Sequence, residues 1–97
     1  MRNKLVSLVL RLGDHSWQVD GSIDIDELSE VIGVELPDEE WDTVAGLVLG
    51  LAGRIPKEKE HFEVAGVSLT VAGLQGRRVT SVRVDVLGRA GTPQEAR

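Results

Sequence analysis

The C-terminal half of the chain alternates apolar and polar residues with a period of two in three successive runs. Phe62 and Val64, then Val67, Leu69 and Val71, then Val82, Val84 and Val86 each put apolar side chains on one face of an extended segment. Ala65-Gly66 and Leu74-Gln75-Gly76-Arg77 interrupt the runs at lengths that close hairpins, so the pattern predicts an antiparallel meander. One face of such a sheet needs a cover, and the first half of the chain must supply it.

That first half opens with a strand-like run, Leu5 through Leu12, turns at Gly13-Asp14-His15-Ser16, and returns as Trp17-Gln18-Val19. Trp17 and Val19 share one face of the returning strand and Gln18 takes the other. A helix start follows: Asp24 as N-cap, Glu27 three residues on to complete a capping box, and Ile23 and Leu28 at the hydrophobic-staple positions. Leu28, Val31 and Ile32 form its apolar face and Gly33 ends it. Pro37 suits the first turn of a second helix reaching about Ala52, with Asp38, Glu39 and Glu40 at the positive end of its dipole. Trp41, Val44, Val48 and Leu51 make its stripe, widened by Leu47 and Leu49. The predicted class is α+β, with two helices packed on one face of a mostly antiparallel sheet.

With 97 residues and 41% apolar content the chain fits one domain, assigned to residues 1–87, and residues 88–97 read as a disordered tail. Sixteen acidic residues against 11 basic give a net charge of −5, the wrong sign for neutralising phosphates, so nucleic acid is not an expected partner. The absence of cysteine removes disulfides, thiolate chemistry and cysteine zinc sites. The uncharged, apolar stretch at residues 43–53 is well short of the roughly 20 residues that span a bilayer, and the apolar run at residues 5–10 lacks the cleavage site of a signal peptide.

Particular words of the sequence carry a resemblance. Trp17-Gln18-Val19-Asp20-Gly21, Asp26-Glu27-Leu28, Gly33-Val34-Glu35-Leu36-Pro37, Asp42-Thr43-Val44-Ala45-Gly46-Leu47-Val48, Gly53-Arg54-Ile55-Pro56-Lys57 and Gly76-Arg77-Arg78-Val79 with Val82-Arg83-Val84 resemble the CorC/HlyC transporter-associated domain over residues 14–86. The resemblance implies a domain that follows a membrane domain and a CBS pair on the cytoplasmic side of the bacterial inner membrane and modulates transport of ions such as magnesium or cobalt. It implies the CBS pair and membrane domain as partners, with a homodimer as a further option, and a chain that is an excised domain or a stand-alone member. It also implies a fold similar to a subdomain of vanillyl-alcohol-type flavin oxidases, a relation of fold that does not carry flavin binding. The family more often has a hydrophobic residue where Gln18 stands and a Gly-Asp turn where Glu58-Lys59-Glu60 stands.

Candidate sites are few. Asp20, Asp24 and Asp26 invite a divalent cation, but a calcium loop counted from Asp20 has Ile25 where its glycine belongs and Val31 where its bidentate acid belongs, and capping already accounts for Asp24. His15 and His61 have no ligand spacing, and Ser16, Ser22, Ser68 and Ser81 lie outside any nucleophile elbow, so no catalytic residues and no cofactor are expected. Arg54, Arg77 and Arg78 are candidates for an anion site, against the simpler reading of solvated turns. Gly46 and Gly50 leave a bare strip on the second helix that admits another backbone, either the first helix or the sheet of the same domain or a partner subunit. The sequence thus points to a non-catalytic regulatory or interaction domain of a divalent-cation transporter; the alternatives are an adenine-nucleotide sensor and a metal-binding domain using Asp20 to Glu27.

Overall fold

A computed structural model describes residues 8–87, so Leu5, Val6 and the 88–97 tail fall outside the described residues. β1 (Val9–Gly13), β2 (Ser16–Asp20), β3 (His61–Val64), β4 (Val67–Gln75) and β5 (Arg78–Val86) form one antiparallel sheet in the order β1-β2-β5-β4-β3. The two hairpins of the meander use the turns their residues allow. Ala65 and Gly66 both have positive φ, 55° and 78°, as a type I′ turn demands, and Gly76 with φ 61° opens the β4–β5 turn in the manner of type II′.

One face of the sheet is apolar across strands. Trp17 pairs with Val84 and Val19 with Val82, and Val84 and Val82 in turn pair with Leu69 and Val71. These side chains are buried, together with Val67 and Val79. Val79 breaks the period of two because the β4–β5 register shifts around Gly73, which re-aims the strand by one residue. A β-carbon on Gly73 would stand 2.8 Å from Thr80 Oγ1, so a larger residue there requires the Thr80 side chain to turn aside. Gln18 lies on the opposite, open face and donates to Ser81 Oγ at 3.2 Å.

α1 (Ile25–Ile32) and α2 (Val44–Ala52) cover the apolar face, α2 lying against β5 and α1 against α2. α1 buries Ile25, Leu28 and Ile32, spaced three and four apart; Val31, expected inside, is 40% exposed. Asp24 is the N-cap by backbone geometry, but its carboxylate makes no capping bond, so the capping box does not form. Gly33 ends the helix in the left-handed region, its N–H returning to the Ser29 carbonyl.

α2 starts at Val44, seven residues later than Pro37 suggested. Asp24 and Thr43 form an antiparallel bridge in which Ile25 N–H donates to the Asp42 carbonyl and Val44 N–H to the Ile23 carbonyl. Residues 37–43 must therefore run alongside the start of α1, and a helix over the same residues would forfeit that pairing. The first free N–H groups of α2 find partners at once: Val44 at Ile23, Ala45 at Gly21, and Gly46 at the Thr43 hydroxyl, 3.1 Å away. The core also holds Ile23, Ile25, Leu36 and Leu47, whereas Trp41, Leu51, Phe62 and Val64, expected inside, are only partly buried at its rim. No helix of the described residues is long and apolar enough to cross a membrane.

Candidate functional site

After Gly33 the chain turns back along α1, and the Leu36 N–H donates to the Ser29 hydroxyl at 3.1 Å. This return brings Asp38 beside Asp26 in the first turn of α1. The hydrogen bond the two carboxyls share, and the charge of Asp38, push Asp26 above the ordinary carboxylate range, with Asp24 and Glu30 adding to the effect. Asp26 and Asp38 border two adjoining hollows. One, about 340 Å³, is walled by Asp24, Trp41 and Asp42. The other is a groove of about 870 Å³ with Val34, Leu36, Pro37 and Val64 among its apolar walls and Asp26, Glu30, Glu35, Asp38 and Glu39 as its acidic ones.

The charge of this layer is one-sided. Between Arg11 and Arg54 the sequence contains eleven carboxylates and no lysine or arginine. That gap is visible in the sequence and is the signal that finds the groove; the meeting of Asp26 with Asp38 is not, because it depends on the course of the returning loop.

Asp20 stands apart from Asp24 and Asp26. Its Oδ1 accepts from the Ser22 N–H at 2.9 Å and the Ser22 hydroxyl at 2.7 Å, which holds the carboxyl below its ordinary value, with help from the Arg78 charge. It borders a different hollow, about 310 Å³, with Arg78, Gln75 and Thr80. The three aspartates singled out from the sequence therefore do not converge, and among the described residues no three histidine, aspartate or glutamate side chains gather to hold a metal.

The arginines likewise have separate partners. Arg54 grips Glu60 through both guanidinium nitrogens, and Glu60 also accepts from the Lys57 N–H at 3.0 Å; the two effects take Glu60 down to about 2. Arg78 shares its hollow with Asp20, and Arg77 occupies the second turn position of the β4–β5 hairpin. On the bare strip, Gly46 is half-buried and Gly50 remains exposed, with Trp41 beside both. The group nearest the strip within the chain is neither the first helix nor the sheet but the Trp41 indole, which stands so close to Gly50 that a β-carbon there would overlap it.

The comparisons agree with this architecture. The family model described as "Transporter associated domain", CorC_HlyC, matches residues 10–88. Hemolysin C of Brachyspira hyodysenteriae is 38% identical over 80 residues, which are 81% of this chain and 30% of that protein. The magnesium and cobalt efflux protein CorC of Escherichia coli K12 is 33% identical over 76 residues, 78% of this chain and 26% of that protein. The chain thus spans less than a third of these curated relatives. Among solved structures, a hemolysin domain from Enterococcus faecalis V583 superposes with a TM-score of 0.77 at 34% identity, covering 84% of this chain and 99% of that one. The transporter-associated domain of a Xylella fastidiosa Temecula1 hemolysin gives 0.74 at 32% identity over 84% and 96%, and has also been solved in complex with Mg++ and Mn++. With a family match across nearly the whole described chain and relatives above 30% identity on the same α+β fold, this chain belongs to the CorC/HlyC transporter-associated domain family.

Proposed function

We propose that this domain is a non-catalytic docking module of a divalent-cation transporter, working on the cytoplasmic side of a bacterial inner membrane. It engages the CBS pair, the membrane domain or a second copy of itself, and biases the transporter between conformations by binding one better than the other. The observation that carries this reading is the match to a magnesium and cobalt efflux protein over 26% of that protein's length, the share an accessory domain would occupy. The side chains are in keeping with it. The serine–carboxylate pairs Ser16–Asp85 and Ser22–Asp20 are direct contacts without an intervening histidine, so neither serine has a general base of the triad kind. Removing the segment that matches this chain from the Escherichia coli protein tests the reading: cobalt efflux or its regulation changes, and unchanged transport and regulation would refute it.

A second reading rests on the Asp26–Asp38 contact together with the Mg++ and Mn++ complex of the Xylella relative: direct divalent-cation binding at the acidic layer. A thermal-shift panel with magnesium, manganese, adenine nucleotides and flavins separates these possibilities, because a ligand present at 100 times its dissociation constant stabilises the fold by about 2.7 kcal/mol. The docking reading expects a flat panel.

A further inference from the structure

We propose that the groove between α1 and residues 34–39 receives a basic segment of a partner protein that also carries apolar side chains; the inference rests on the docking reading above and names its surface. Three features define the occupant. The walls include partly buried Val34, Pro37 and Val64 beside the core residue Leu36, an apolar surface that a hydrated ion cannot use but a leucine or valine side chain can. The acidic positions Asp26, Glu30, Glu35, Asp38 and Glu39 line the same groove, and no basic side chain is among its lining residues. Asp26 and Asp38 both line this groove and the hollow beside it, so an arginine or lysine placed between them meets two carboxylates at once.

The same charges argue against a second copy as occupant. The whole chain carries −5, its Arg54 is committed to Glu60, and its Arg78 faces Asp20, so two copies meeting at this groove repel more than they attract. At about 870 Å³ the groove is wide enough for two or three side chains of an extended or helical segment.

The test uses the ¹⁵N-labelled chain and three synthetic peptides of equal length: arginine alternating with leucine, arginine with glycine, and glutamate with leucine. The arginine–leucine peptide is expected to shift the amides of Asp26, Val34, Leu36 and Val64 and to bind about tenfold or more tighter than arginine–glycine, the gain for burying one leucine side chain. The glutamate–leucine peptide is expected not to bind. The double variant D26N/D38N should weaken the arginine–leucine complex about fivefold or more, while E58Q/E63Q, which removes the same charge elsewhere, changes it less than about twofold. Both side chains are exposed, so D26N/D38N is expected to keep the fold, and an unchanged amide spectrum outside the groove separates lost binding from lost structure.

Equal binding of the arginine–leucine and arginine–glycine peptides, or equal loss in the two double variants, means a diffuse electrostatic attraction and overturns the proposal. So does magnesium chloride alone, at ionic strength matched with sodium chloride, if it reproduces the same amide shifts, since the groove is then a cation site. Self-association of the chain through these amides in sedimentation overturns it in favour of a second copy. If the peptides fail while excision of the domain still alters transport, the docking reading stands and only this surface is wrong; if excision changes nothing, the docking reading itself falls.

Discussion

The indole of Trp41 stands against Gly50 of α2, and Trp41 also lines the acidic hollow that holds Asp26 and Asp38. Trp41 thus borders both the small-residue side of the helix and the charged layer. Gly46 is different: a β-carbon there meets Thr43 Oγ1 at 3.4 Å and Trp41 Cβ at 3.7 Å, ordinary packing distances. Gly46→Ala is therefore expected to be neutral or to stabilise by up to about 1 kcal/mol through helix propensity. Gly50→Ala must move the indole, and its expected signature is a red-shifted tryptophan emission with no gain in the midpoint of thermal unfolding. Equal behaviour of the two variants would show that Trp41 does not rest on Gly50.

Gly21 tests how β5 and the start of α2 are locked together. Its N–H donates to the Thr80 carbonyl and its carbonyl accepts from the Ala45 N–H, both at 2.9 Å, while a β-carbon would overlap the Val79 carbonyl oxygen. The obstacle is backbone held in a sheet, which cannot swing aside. Gly21→Ala should cost about 2–4 kcal/mol in urea unfolding.

The Ala65-Gly66 turn asks an alanine to adopt φ 55°. Asparagine tolerates that conformation better, and Asn-Gly is the preferred pair for this turn. Ala65→Asn should stabilise the fold by about 0.5–1 kcal/mol, read as a raised midpoint of thermal unfolding with the urea m-value unchanged.

The acid limb of stability carries two opposite signs. Glu60 is depressed from 4.5 to about 2, so its contribution is complete above its unfolded value and is lost as pH falls from about 4.5 through about 2. Glu60→Gln should flatten the stability curve in that window. Asp26 is raised, so the folded state holds its proton more tightly than the unfolded one and stability falls as pH rises through its titration. Asp38→Asn should stabilise at neutral pH, with the gain shrinking as the solution is acidified. Parallel curves for wild type and either variant would contradict the assignment.

Much of this fold is legible in the sequence because period two and hairpin-length breaks are local signals: β3, β4 and the β5 positions Val82, Val84 and Val86 follow from them directly. Val79 was not, since the register shift around Gly73 changes which face a residue meets without changing the alternation on either side. Pro37-Asp38-Glu39-Glu40 has the composition of a helix start, yet the Asp24–Thr43 bridge outweighs it, and that bridge is tertiary. Thr43 ahead of an unbroken apolar run was the better local signal for the true cap. The site follows the same division. The one-sided charge between Arg11 and Arg54 can be read from the chain, but the contact of Asp26 with Asp38 and the separation of Asp20 from both require the fold.

The most direct measurement is cobalt efflux from cells carrying the Escherichia coli magnesium and cobalt efflux protein in which the matching segment is deleted, replaced by this chain, or replaced by its Gly21→Leu variant, which cannot fold around the Val79 carbonyl. The docking account predicts that deletion changes efflux or its regulation, that this chain restores it at least in part, and that the Gly21→Leu graft does not. Transport and regulation that are the same in the intact and deleted proteins would contradict it.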